Sequence, residues 1–149
     1  MLVVQTNNVP LFVRVANKLV VALLRAGLKI SINALLTVRG RKSGQPRTTP
    51  VAVIELKGQR YLIAAYGVVD WVRNLRAAGV ATLTRSRRSE DITVTELPPA
   101  EAAPILKASL RIAPGFLQAY FDATPESSLE DFEREAMRHP VFRVQPAAG

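Results

Sequence analysis

The chain has 149 residues, 48% of them apolar, and no cysteine, so one filled core is expected while disulfides, thiolate zinc sites and cysteine nucleophiles are excluded. The single histidine, His139, leaves neither a histidine metal cluster nor a spare imidazole for a hydrolytic triad, and no metal site is expected. A net charge of +8 and a pI near 10.6 call for an anionic partner. That charge is uneven: 15 basic and 2 acidic residues precede Ser89 and 5 and 10 follow it, a net +13 against −5.

Residues 11–27 have helical composition, with Gly27 just past the end. At about 100° per residue, Arg14, Lys18, Arg25 and Lys29 share one side. Such a basic amphipathic face is either ordinarily solvated or rests on an anionic membrane or partner. The longest uninterrupted apolar run, Leu19 to Leu24, is far below the roughly 18 residues a spanning helix needs. The start of the chain shows no signal-cleavage pattern, and a cytoplasmic protein is expected.

Residues 35–39 read as a strand, 40–46 as a turn, 48–56 as a strand rich in Val and Ile, and 57–59 as the close of a hairpin. The returning strand, 60–65, alternates Tyr61 and Ile63 with Leu62 and Ala64, apolar enough to be buried on both faces. Asp70 is expected as N-cap and Gly79 as the stop of a two-turn helix over 71–78. Strands over 80–85 and 92–97 flank a basic tip, Arg85 to Arg88. Pro99 suits a first helical turn, and Pro104 either restarts or bends that helix. Ser128 and Asp131 resemble a capping box ahead of an apolar stripe, Leu129, Phe132 and Ala136. Pro140 ends this helix, 141–144 forms a last strand, and 146–149 a disordered tail.

Short strands joined by hairpins, with helices before, between and after them, argue for an α+β fold with a mostly antiparallel sheet, and closure into a small barrel removes the edges. The chain is read as one domain over 1–149, with the N-terminal helix in 1–30 and the barrel and helices in 35–144.

Chemistry concentrates in Gly40-Arg41-Lys42-Ser43-Gly44-Gln45-Pro46-Arg47. Three cations, a hydroxyl and two glycines meet in one turn, which either cradles an anion with side chains and backbone N–H groups or is a solvated hairpin tip. The spacing is not that of a Walker loop. In the next helix, Trp71, Asn74, Leu75 and Ala78 share the inward face. A buried Asn must find partners, in a neighbouring loop or on a ligand's polar edge. Tyr66, before Gly67, stands where it lines a pocket or roofs the core, and His139 is read as a helix-end residue interacting with the last carbonyls. With no nucleophile constellation and no metal cluster, catalysis requires a cofactor, best an anionic one.

The segments TVRGRKSGQPRTTPV (37–51), DWVRNLRAAG (70–79) and TPESSLEDFEREAMRHPVFRV (124–144) resemble the deazaflavin-dependent nitroreductase family of actinobacteria and relatives. The resemblance implies a split β-barrel of the FMN-binding type that binds reduced coenzyme F-420, a deazaflavin with a phosphate and an oligoglutamate tail. A hydride then passes to a quinone, nitroaromatic or activated enone. Carried over, Arg41, Lys42, Ser43, Gly44 and Arg47 would hold the phosphate-bearing chain, Pro50 and Val51 would lie near the ring, and Trp71 and Asn74 would flank it from the other side. Tyr66 or Tyr120 would donate the accompanying proton. The polyanionic cofactor also gives a reason for the basic first half. The likeness to nitroimidazole-reducing members stops at two places: only Gly67 to Asp70 separate Tyr66 from Trp71, and Ala52 stands where an aromatic can line the acceptor pocket. FMN on the same barrel is the alternative cofactor. A non-catalytic nucleic-acid or anionic-surface binder is the alternative of another class, disfavoured by 6% aromatic content and the lack of a nucleic-acid motif.

Overall fold

The computed structural model describes residues 21, 22, 25–56 and 58–147. Six strands, β1 (Lys29–Arg39), β2 (Pro46–Leu56), β3 (Gln59–Ile63), β4 (Val80–Arg85), β5 (Arg88–Glu96) and β6 (Val141–Pro146), form the sheet. Helix α1 (Asp70–Ala78) follows β3, while α2 (Pro99–Ile112), α3 (Gly115–Gln118) and α4 (Leu129–Arg138) lie between β5 and β6. The strands close into a barrel in the order β1-β2-β3-β6-β5-β4, every pair antiparallel. This is the expected α+β barrel.

The near-continuous apolar runs explain why two cores form. Val53 and Ile54 are both fully buried because they point to opposite sides of the sheet. Val53, Leu36, Leu62, Leu83 and Phe142 fill the barrel, and Trp71, Val72 and Leu75 of α1 complete that core beside the β1–β2 turn. Ile54, Ile63 and Val141 face outward onto Leu106 of α2 and Phe132 of α4. The expected capping box starts α4: Ser128 Oγ accepts from Asp131 N at 3.0 Å.

Several boundaries differ from expectation. β1 begins at Lys29, not residue 35, because a bulge between Ser31 and Ala34 keeps pairing with β2 despite broken alternation. Lys29 therefore belongs to the barrel rather than to a helix face. Arg14 and Lys18 of that face lie outside the described residues, whereas the chain at Ala26 still bonds helically to Ala22 and Gly27 has φ +89°. Asp70 is not the N-cap: Val69 holds that position, and the Asp70 carboxylate turns to Arg41 at 3.5 Å and Arg73 at 3.9 Å. β5 starts at Arg88, so the basic tip is a two-residue turn. Pro104 is accommodated within one continuous α2. Helix α3, too short to show a period in sequence, follows Pro114. Pro146 pairs with Ile92, and Ala147 N donates to Asp91 O at 2.9 Å, which ties these two residues of the expected tail to the sheet.

Candidate active site

The turn between β1 and β2 is built by local chemistry. Gly40 N donates to Gln45 O (2.8 Å), Gly44 N to Gly40 O (2.9 Å) and Gln45 N to Ser43 Oγ (3.1 Å). A Cβ on Gly40 would lie 2.9 Å from Ser43 Oγ and 3.2 Å from Gln45 O, and Gly44 has φ +73°, so each glycine is required for a different reason.

Helix α1 then locks the turn. The Asn74 side chain, in a residue only 5% exposed, accepts through Oδ1 from both Arg41 N (3.0 Å) and Arg41 Nη1 (2.7 Å). Of the two partners open to Asn74 from sequence, the neighbouring loop is the one its oxygen takes. Two elements 33 residues apart thus share one polar clamp.

Between turn and helix lies a cavity of about 550 Å³, lined by Arg41, Lys42, Ser43 and Arg47 on one side and Asp70, Trp71 and Asn74 on the other. Lys42 and Arg47 form no ion pair among the described residues, so their charge is available to a ligand. A second cavity, about 250 Å³, adjoins it and is lined by apolar groups: Ile32, Pro50, Val51, Ala52, Tyr66, Phe116 and Leu117 among them. Trp71 lines both cavities.

Of the residues expected from sequence, Arg41, Lys42, Ser43, Arg47, Trp71 and Asn74 meet in the first cavity, and Pro50, Val51 and Tyr66 in the second. Gly44 lines neither; it shapes the turn. Tyr66 and Tyr120, 54 positions apart by their numbers, come into edge-to-face contact with centroids 4.6 Å apart at 86°, both about half exposed. The bulge residue Ile32 and the α3 residues Phe116 and Leu117 carried no signal in sequence, because a bulge and a single-turn helix have no period. His139 ends α4 as expected, its N–H on Glu135 O, but its ring leaves the helix. Nδ1 donates to Ala64 O at 2.9 Å, and the ring stacks on Phe121 at 4.0 Å. It is a buried strut between α4 and the end of β3. Its neighbour Glu135 is held below the usual carboxylate range: burial raises it, but hydrogen bonds from Arg138 and Ala123 N outweigh that.

A closed antiparallel split barrel bearing a cationic cavity against an apolar one has the form of a site for an anionic cofactor with a planar ring. Residues 12–125 match the F420H(2)-dependent quinone reductase family, and the chain belongs to that family. It is therefore an oxidoreductase whose cofactor is coenzyme F-420. Among solved structures, it resembles one described as an F420-H2 dependent reductase (FDR-A), 24% identical over 78% of this chain and 93% of that one, TM-score 0.52. A chain described as a domain-swapped dimer is likewise 24% identical, covering 78% of this chain and 79% of that one, TM-score 0.53. The heme storage protein HutZ of Vibrio cholerae shares the fold at 11% identity, 80% and 84% coverage and TM-score 0.50. A comparison with curated proteins found no match. Among the described residues no helix is long and apolar enough to cross a membrane.

Proposed function

We propose that this protein reduces a quinone with coenzyme F-420, the cofactor's phosphate-bearing chain held by Arg41, Lys42, Ser43 and Arg47 and its ring near Pro50, Val51 and Trp71. The observation that carries this reading is Trp71, whose side chain borders the cationic cavity and the apolar cavity at once. When bound, coenzyme F-420 supplies the hydride. The residues fit such a group: Lys42 and Arg47, without ion pairs among the described residues, and the Ser43 hydroxyl suit a phosphate, and the adjoining apolar wall suits a planar ring and acceptor. Asn74 acts through Arg41, whose backbone and guanidinium it orients. Apolar Ile32, Phe116 and Leu117 keep water from the acceptor, and Tyr66 holds the proton the reduced acceptor takes. Nitroaromatics and activated enones are further acceptors of the same shape. The enzyme acts in the cytoplasm, where the basic N-terminal segment brings it to anionic membrane that dissolves quinones.

A fluorescence titration with coenzyme F-420, run beside FMN, tests the reading. Saturable F-420 binding, weakened about tenfold or more in Lys42→Ala, is expected. Unchanged affinity in Lys42→Ala overturns the placement of the phosphate, and binding of FMN alone moves the barrel to flavin chemistry.

A further inference from the structure

The barrel has a second mouth, at the end away from α1 and the Gly40 turn. Cross-strand partners share a face and alternate residues return to it. The lumenal rows carrying Val53, Leu62, Leu83 and Ile92 therefore continue outward to Glu55, Arg60, Arg85 and Glu90. Arg60 donates to both oxygens of Glu90, at 2.7 and 2.8 Å, and Arg85 pairs with Glu55. Two ion pairs are not what barrel closure needs, since an apolar layer of similar volume does as well or better once desolvation is counted.

The rim adds charge that is not neutralised. Lys29 stands opposite Glu55 in the β1–β2 register and Arg88 opposite Arg85 in the β4–β5 register. Among the described residues neither Lys29 nor Arg88 forms an ion pair, because Glu55 and Glu90 are engaged by Arg85 and Arg60. The mouth thus holds four cations against two carboxylates. It opens as a cavity of about 440 Å³ lined by Ser31, Asn33, Leu83, Arg85, Ser86, Arg88 and Glu90, the Glu90 carboxylate being held by both nitrogens of the Arg60 guanidinium. The side chains of Ser31, Asn33 and Ser86 make no hydrogen bond among the described residues. Ser86 and Arg87 hold φ of +50° and +64°, a left-handed pair that Asn-Gly would adopt with less strain, and strain retained at a cavity points to use.

We infer that this mouth is a second anion-binding site, which takes a phosphate ester through the Arg88 guanidinium and the hydroxyls of Ser31 and Ser86, with Lys29 adding positive charge at the same end of the barrel. It is separate from the Gly40 turn: Asn33, the β1 residue of its wall nearest that turn, is about 20 Å along the strand from Arg39. A soluble phosphate ester and a phospholipid headgroup present the same chemistry to it.

Titration of the full-length protein with inorganic pyrophosphate, followed by amide resonances, tests the inference. Saturable shifts at Ser31, Arg85, Ser86 and Arg88 are expected, weakened about tenfold in Arg88→Gln and unaffected by Lys42→Ala. Ser31→Ala, which leaves every charge in place, should weaken them less. Shifts confined to residues 40–47, no saturation, or equal affinity in Arg88→Gln overturns it. Co-sedimentation with phosphatidylcholine vesicles, with and without phosphatidylglycerol, then distinguishes the sources. Retention on the anionic vesicles that weakens in Arg88→Gln assigns the headgroup; pyrophosphate binding with retention equal in wild type and Arg88→Gln assigns a soluble ester.

Discussion

Asn74 is the residue where a single side chain does most to organise the site. Its Oδ1 satisfies Arg41 N–H and orients the guanidinium, so Asn74→Leu leaves a half-buried donor unpaired, at a cost of about 1–3 kcal/mol. A lower melting temperature and weaker F-420 binding are expected together, and Asn74→Asp, which keeps an acceptor, should restore part of both. Tyr66 tests the chemistry instead. If its hydroxyl supplies the proton, Tyr66→Phe lowers kcat by about a hundredfold or more with little change in F-420 affinity. Unchanged turnover would leave that proton to solvent. Tyr120, stacked edge-on against Tyr66, then holds the ring in place, and Tyr120→Ala should raise KM for the acceptor more than it lowers kcat.

At the scale of elements, α1 and the β1–β2 turn act as one clamp, and α4 is tied to the segment after α3 through Glu135. This buried carboxylate accepts from Ala123 N and Arg138 and is held below its ordinary range. A lowered folded-state value means that the stabilisation is present above the ordinary carboxylate range and is lost as pH falls through the folded value. Acid unfolding followed by circular dichroism should accordingly be steepest below that range, and Glu135→Gln should flatten this acid limb while lowering stability at neutral pH. Much at this scale was legible in sequence. The Gly79 stop, the Ser128 box and the Gly40-to-Arg47 turn depend on near neighbours, and each stands where local chemistry put it. The Asp70 cap was misread because a cap is decided by competition, and here Arg41, distant in sequence, takes the carboxylate.

For the molecule as a whole, the two cores share strands. β2 sends Val53 inward and Ile54 outward, and β3 does the same with Leu62 and Ile63. Leu75→Ala in the inner core and Leu106→Ala in the outer core should each cost about 2–5 kcal/mol. Both variants should unfold in one transition, with tryptophan fluorescence and far-ultraviolet circular dichroism coincident. Separate transitions would show that the helical layer melts apart from the barrel.

The sequence by itself determined the class of fold, the basic first half and the identity of most residues around the first cavity. These follow from alternation, turn chemistry and charge, all carried within a few residues of one another. Only the tertiary structure decided what those residues touch. The Asn74 oxygen on Arg41, the Tyr66–Tyr120 contact, Ile32 and Phe116 on the wall of the apolar cavity, and the Arg60–Glu90 pair at the second mouth join positions dozens of residues apart. Barrel closure sets those encounters through strand register, and a register is a property of two strands that neither one specifies alone.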